Sequence, residues 1–218
     1  MPQGLGDLGL PRAALAEHVA WDIGALDLAR RLAETLDAPL IHQTYSRLVI
    51  DCNREPGRPD SIVAYSDRWE VPGNADLNDA ARAARRLEVF EPYHGAIAAE
   101  ADEVAARGRA ALLISVHSFT PNMGGVGRPW HMGVLHLGNS AASDALLALL
   151  RAEPGLAVGD NEPYAMDGTD FTVPFHAHRR GWDAVEIEVR QDLLGDPVMA
   201  RRMAQILGRL LPRLSGVR

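Results

Sequence analysis

The sequence predicts an α/β fold with a mainly parallel central sheet flanked by helices on both faces. Three observations carry that expectation. Strand-like apolar runs alternate with helical patterns along the chain. The run ALLISVHS is continuously apolar, as a central strand buried on both faces would be. The length of 218 residues suits one full core and not two large ones, so residues 1–218 read as a single domain.

The start, MPQGLGDLGLPRAA, is polar and Gly-rich and reads as a loop. From Pro11 to Asp37 the pattern is helical: Pro11 suits a first turn, and Leu15, Val19, Ile23, Leu26, Ala29, Ala33 and Leu36 recur at three- and four-residue steps. PLIHQ and SRLVIDCN follow as strand-like runs, and the Gly, Pro, Asp and Ser of residues 55–76 read as a long surface loop. A second helical region covers 77–107, with Pro92 expected to end or kink it. After the apolar strand, residues 119–130 hold Gly and Pro at a density that only a loop tolerates. HMGVLHLG is the next strand, then a helix over 140–151 and a short strand near LAVGD. DAVEIEVRQDL is the last strand, and 196–211 forms a terminal amphipathic helix. There is no internal repeat. Loops as long as these two are usually functional, and ligands of open α/β sheets bind beyond the carboxyl ends of strands.

Composition narrows the function. Hydrophobic residues make up 47% and charged residues 23%, with a net charge of -7 and no polybasic block. A nucleic-acid surface is thereby excluded, and an anionic membrane would repel the chain. The single cysteine, Cys52, excludes an internal disulfide and a Cys-based zinc cluster. No apolar run approaches the roughly 20 residues of a membrane span, and residues 1–20 lack a signal-peptide core. A cytoplasmic enzyme is the expectation. Nothing in the sequence speaks to oligomeric state.

Three strand ends carry unusual side chains. His117 and Ser118 leave the most apolar strand directly into a Gly/Pro loop; a core histidine with one hydrogen bond is the alternative. In SRLVIDCNR a regular strand would put Arg47, Val49, Asp51 and Asn53 on one face, with Arg54 next in the turn. Arginine receives carboxylates through its planar fork, although an Asp–Arg pair that merely fixes the loop fits equally. In VEIEVRQDL, Glu186, Glu188 and Arg190 alternate with Ile187 and Val189, as they would on the solvated face of an edge strand. His18 and Asp22, four apart on the first predicted helix, share a face, suiting either a metal or a surface hydrogen bond. EPYHGA and GDNEPY add Tyr93, His94, Asn161, Glu162 and Tyr164, which turn chemistry alone explains. His131, His136, His176 and His178 have no ligand-like context. A histidine, several carboxylates and two or more arginines at strand ends together fit metal-assisted hydrolysis of an anionic substrate.

The ordered series HVAWDIGA, YSRLVIDCNR, PYHGAI, LLISVHSFTP, RPWHMGVL, GDNEPY and VEIEVRQDL resembles the N-formylglutamate amidohydrolase family over nearly the whole chain. That resemblance implies a fold like the zinc-dependent exopeptidases and aspartoacylase-type deacylases. It implies Zn²⁺ or another divalent metal held by His117 with Asp22; His18, on the same predicted helix face as Asp22, is the substitute for a third ligand. It implies a substrate carboxylate received by Arg47, Asp51, Asn53 and Arg54, with Arg128 and Arg190 the next cations and His94 and Asn161 nearby. Glu188, rather than Glu186, matches the general base. The substrate is then a small anionic N-acyl amino acid, hydrolysed from N-formyl-L-glutamate to formate and L-glutamate or in a closely similar reaction. Members of the family carry a first strand with a histidine-containing segment before DLGLP, and this chain begins just after that point. The expectation is a sheet lacking that strand, weak zinc binding and little turnover. A catalytically impaired binding protein, or a peptidoglycan or peptide amidase of the same fold with an open groove, are the competing readings.

Overall fold

Side-chain alternation along two long neighbouring strands divides the molecule, seen here in a computed structural model that describes residues 1–108, 111–138 and 140–214. In chain order the elements are α1 (Arg12–Leu15), α2 (Ala25–Leu36), the hairpin β1 (Tyr65–Ser66) and β2 (Trp69–Glu70), α3 (Asp79–Arg85) and α4 (Glu91–Ala106). Then come β3 (Leu112–Phe119), the hairpin β4 (Asn122–Met123) and β5 (Val126–Gly127), β6 (Met132–Leu135), α5 (Ala141–Arg151) and β7 (Val158–Asp160). The chain continues with α6 (Thr172–His176), β8 (Asp183–Arg190), α7 (Gln191–Gly195) and α8 (Pro197–Leu210). The central sheet has the order β3-β8-β6-β7. β3 is parallel to β8 and β6 to β7, whereas β6 and β8 are antiparallel. The mixed α/β architecture is thus as expected, mostly parallel with one antiparallel pair.

On one face, Leu112, Ile114 and Val116 of β3 and Val185, Ile187 and Val189 of β8 join Met132 and Val134 in the main core. α2, α5 and α8 cover it with Leu28 and Leu32, Leu146 and Leu150, and Met203, Leu207 and Leu210. Two of those helices start on side-chain caps. Asp196 accepts from the backbone N–H groups of Val198 and Met199 at 2.8 and 3.0 Å, and Ser140 accepts from Ser143. The opposite face carries Ser115, His117, Glu186 and Glu188 beside a smaller apolar cluster of Leu113, Leu135, Val173, Ala177 and Ala184. A further core, made of Leu8, Leu10, Ala14, Ala20, Leu48, Val49, Ile50, Val89 and Phe90, gathers the irregular segments.

Several expectations are corrected. The helix predicted from Pro11 to Asp37 is two helices separated by turns over 16–24, so His18 and Asp22 do not share a helix face. Gly24 opens α2 in the left-handed region (φ 80°), and a Cβ there would collide with the Leu194 side chain. Neither PLIHQ nor SRLVIDCN forms a strand. Leu48, Val49 and Ile50 are buried consecutively, and bonds from Val49 N–H to Ser46 O and Arg54 N–H to Asp51 O keep the segment in turns. The common strand face expected for Arg47, Val49, Asp51 and Asn53 therefore does not exist. The helical path runs on through Pro92, which falls in the first turn of α4 just after a π-helical turn at Arg86–Phe90. The last strand ends at Arg190, where α7 begins, and both long loops contain a two-residue hairpin. α6 was not foreseen.

Candidate active site

β3 and β8 pair in parallel with His117 opposite Glu188 and Ser115 opposite Glu186, so the four side chains form one polar patch. Asp22, in the turn before α2, reaches over it: His117 Nδ1 lies 2.7 Å from Asp22 Oδ2, and His117 Nε2 lies 3.0 Å from Ser115 Oγ. The Ser118 hydroxyl donates to Ile23 O at 2.8 Å and anchors that turn. Burial alone would lower the His117 imidazole, but its bond to Asp22 and the negative charges of Asp22, Glu186 and Glu188 raise it well above its ordinary value. Burial would likewise raise Asp22, but the bond and charge of His117, with Arg47 behind, hold it below the usual carboxylate range. Each partner thus favours the charged form of the other.

Glu186 and Glu188 are 2% and 7% exposed, and Oε2 of each has no hydrogen-bond partner. The solvated edge strand that would have explained them is ruled out, because β8 lies between β3 and β6. Burial pushes both carboxyls up, opposed in part by the positive charge of His117. Such a carboxyl accepts a proton more readily than an exposed one.

Most of the arginines are already engaged. Arg47 binds Asp51 at 2.6 Å and lies 3.7 Å from Asp22. Arg54 binds Asp170 at 2.9 Å and lies 3.5 Å from Asp60. Arg190 binds Asp192 at 2.8 Å. Arg128 has no carboxylate partner among the described residues; it donates to the Tyr164 hydroxyl at 2.8 Å and lies over the Tyr164 ring at 4.6 Å. Asn53 accepts from the N–H groups of Phe171 and Thr172 and donates to Asp170, fastening the start of α6. Asn161 accepts from His136 N–H at 2.8 Å, which anchors its turn.

Among the described residues, His94 makes no hydrogen bond to the side chains of this patch. Its Nε2 lies 2.8 Å from the Cys52 carbonyl, so that nitrogen must carry the proton, and its Nδ1 then accepts from His176 Nε2 at 2.9 Å. The chain of bonds leaves His176 Nδ1 bare, and that atom is buried without a partner. Burial drops both histidines to about 4. Sequence reasoning missed His176 and Asp170; neither has a local signature, since their partners lie 82 and 117 residues away.

Asp22 and His117 are an oxygen and a nitrogen donor of the kind zinc takes, but a catalytic zinc normally has three protein ligands. The described residues contain no group of three or more His, Cys, Asp or Glu side chains able to hold a metal ion. His18 does not join the other two. It lines a cavity of about 470 Å³ with Glu17, Ile23, Thr120 and Gln191, which Asp22, His117 and Glu188 do not line. Among the described residues, the side chains do not make up a three-ligand metal site.

A family model described as N-formylglutamate amidohydrolase matches residues 1–195. The crystal structure of gene product Atu2144 from Agrobacterium tumefaciens is similar with a TM-score of 0.94 and 38% identity, over 98% of this chain and 85% of that one. N-formylglutamate amidohydrolase from Ralstonia eutropha JMP134 shares the fold at a TM-score of 0.59 and 18% identity, over 98% and 89% of the two chains. No protein of curated function matches. The family match covers most of the sequence, including the whole polar patch on β3 and β8, and the chain belongs to the N-formylglutamate amidohydrolase family.

Proposed function

We propose that the chain hydrolyses the acyl–nitrogen bond of N-formyl-L-glutamate, or of a closely similar acidic N-acyl amino acid, to the acid and the free amino acid. The observation that carries this reading is Glu188. It is a buried carboxyl with one unpartnered oxygen, level with His117 on the neighbouring strand, in a chain of this amidohydrolase family. Glu188 takes a proton from a water whose oxygen bonds to the acyl carbon, and the carbonyl pair moves onto oxygen. When that pair returns, the C–N bond breaks and Glu188 passes the proton to the leaving nitrogen. His117, kept positive by Asp22, faces the charge that develops on oxygen. Each of these steps uses the chain's own side chains, since the described residues bring no group of three metal donors together.

Formate release from N-formyl-L-glutamate, followed with metal-free protein and again with added Zn²⁺, tests the proposal. Glu188→Gln is expected to lower kcat by about 10²–10⁴ while ligand still binds. Binding without release under both conditions would refute hydrolysis and leave a catalytically impaired binding protein. That second reading is favoured by the missing third donor among the described residues.

A further inference from the structure

We infer that Arg128 selects acidic substrates by receiving their side-chain carboxylate, with Tyr164 as its positioning residue. The inference rests on the hydrolytic reading above and names what that site discriminates. Of the four arginines at its rim, Arg47, Arg54 and Arg190 already hold aspartates, and only Arg128 lacks a carboxylate among the described residues.

Its present partners are all neutral. Nη1 donates to the Tyr164 hydroxyl at 2.8 Å and to Thr120 O at 3.5 Å, and Nη2 to Met123 Sδ at 3.3 Å. Nε–H and one Nη2 hydrogen have no acceptor among the described residues. Nε and Nη2 form the fork with which Arg58 and Arg190 each grip both oxygens of an aspartate in this protein. In Arg128 that fork holds no carboxylate among the described residues. The guanidinium lies 4.6 Å over the Tyr164 ring and 6.0 Å from the Phe119 ring, so its plane is set before ligand arrives. Arg128 is half-buried and Tyr164 beside it is 38% exposed, so the pair borders solvent.

The position matches the length of the substrate. Phe119 follows His117 by two residues on the same face of β3, and the register pairs Phe119 with Arg190 as it pairs His117 with Glu188. Two strand residues span about 6.6 Å. The α-carboxylate, bonded directly to Cα, does not reach that far from a scissile amide held at Glu188. The side-chain carboxylate of glutamate does.

The test compares kcat/KM for N-formyl-L-glutamate and N-formyl-L-glutamine, which keeps the α-carboxylate and the size but replaces the side-chain carboxylate by an amide. Arg128→Gln is expected to lower the first by about ten- to a hundredfold, mostly through KM, and to lower the second by clearly less. Arg128→Lys should restore part of the preference, since it returns the charge without the fork. Tyr164→Phe should fall between wild type and Arg128→Gln. Equal losses on both substrates, or an undiminished preference in Arg128→Gln, would overturn the assignment. If the wild type releases no formate, hydrolysis is what has failed. Calorimetric binding of N-formyl-L-glutamate to wild type and Arg128→Gln then decides for Arg128 alone: weaker binding to the variant supports it, and equal or no binding rejects it.

Discussion

Replacing His176 with glutamine removes one of two buried histidines that must charge before the protein can relax in acid. His176 is fully buried, His94 is 6% exposed, and each is held near 4 by burial. An unfolded histidine titrates at about 6.5, so between that pH and 4 the unfolded chain binds more protons than the folded one. The stability is fully present above pH 6.5 and is lost as pH falls toward 4. Integrating over pH 7 to 5 gives a loss of about 2 kcal/mol per histidine, about 4 for the pair. That is a large share of the roughly 5–15 kcal/mol by which domains are stable. Glutamine does not titrate, yet its amide N–H can still serve His94 Nδ1. Urea unfolding at pH 7 and pH 5, at fixed ionic strength, should show His176→Gln losing about 2 kcal/mol less than wild type over that interval. Equal losses in the two proteins, with unchanged m values, would refute the argument.

Arg85 is 4% exposed and donates to Val49 O, Gly73 O and Asn74 Oδ1 at 2.6–2.9 Å, with no ion-pair partner among the described residues. Arg85→Ala leaves those acceptors unpaired and should cost about 3–5 kcal/mol, read from the urea midpoint. At Gly133 a Cβ would collide with Glu162 O, so Gly133→Ala should displace the turn that carries Tyr164. The expected result is about 1–3 kcal/mol of lost stability and a weaker preference for N-formylglutamate over N-formylglutamine. Zinc content by plasma mass spectrometry, after dialysis of the purified chain, should be well under one ion per chain. A stoichiometric ion would mean that a third ligand completes the Asp22–His117 pair.

The elements that pack on the main core were readable because one periodicity served one core. Leu112, Ile114 and Val116 and the stripe Met203, Ile206, Leu207 and Leu210 all meet the same layer. The first predicted helix failed because its spacing is shared between two cores: Ala14 and Ala20 face the irregular segments, Leu28 and Leu32 the sheet. LVI at 48–50 has the composition of a strand, but all three residues are buried in a turn without a sheet partner among the described residues. In the site, His117 and Glu188 stood out as polar side chains on apolar strands. Which arginine was free did not, because Asp170 meets Arg54 from 116 residues away and Tyr164 meets Arg128 from 36. Such pairings are set by the fold and leave no local trace.

In an all-parallel sheet only the exits of strands reach a given rim. The reversal between β6 and β8 sets Met132, where β6 begins, against Val189, where β8 ends. The segment that leads into β6 through Arg128 therefore arrives at the rim from which His117 and Glu188 depart. On the proposed reading, bond cleavage and discrimination rest on separate stretches of chain, which meet at Phe119, at the hairpin after it and at Arg190, whose side chain donates to Arg128 O and Pro129 O. Exchanging residues 121–129 is then expected to change which acyl amino acid is admitted while β3 and β8 stay in place.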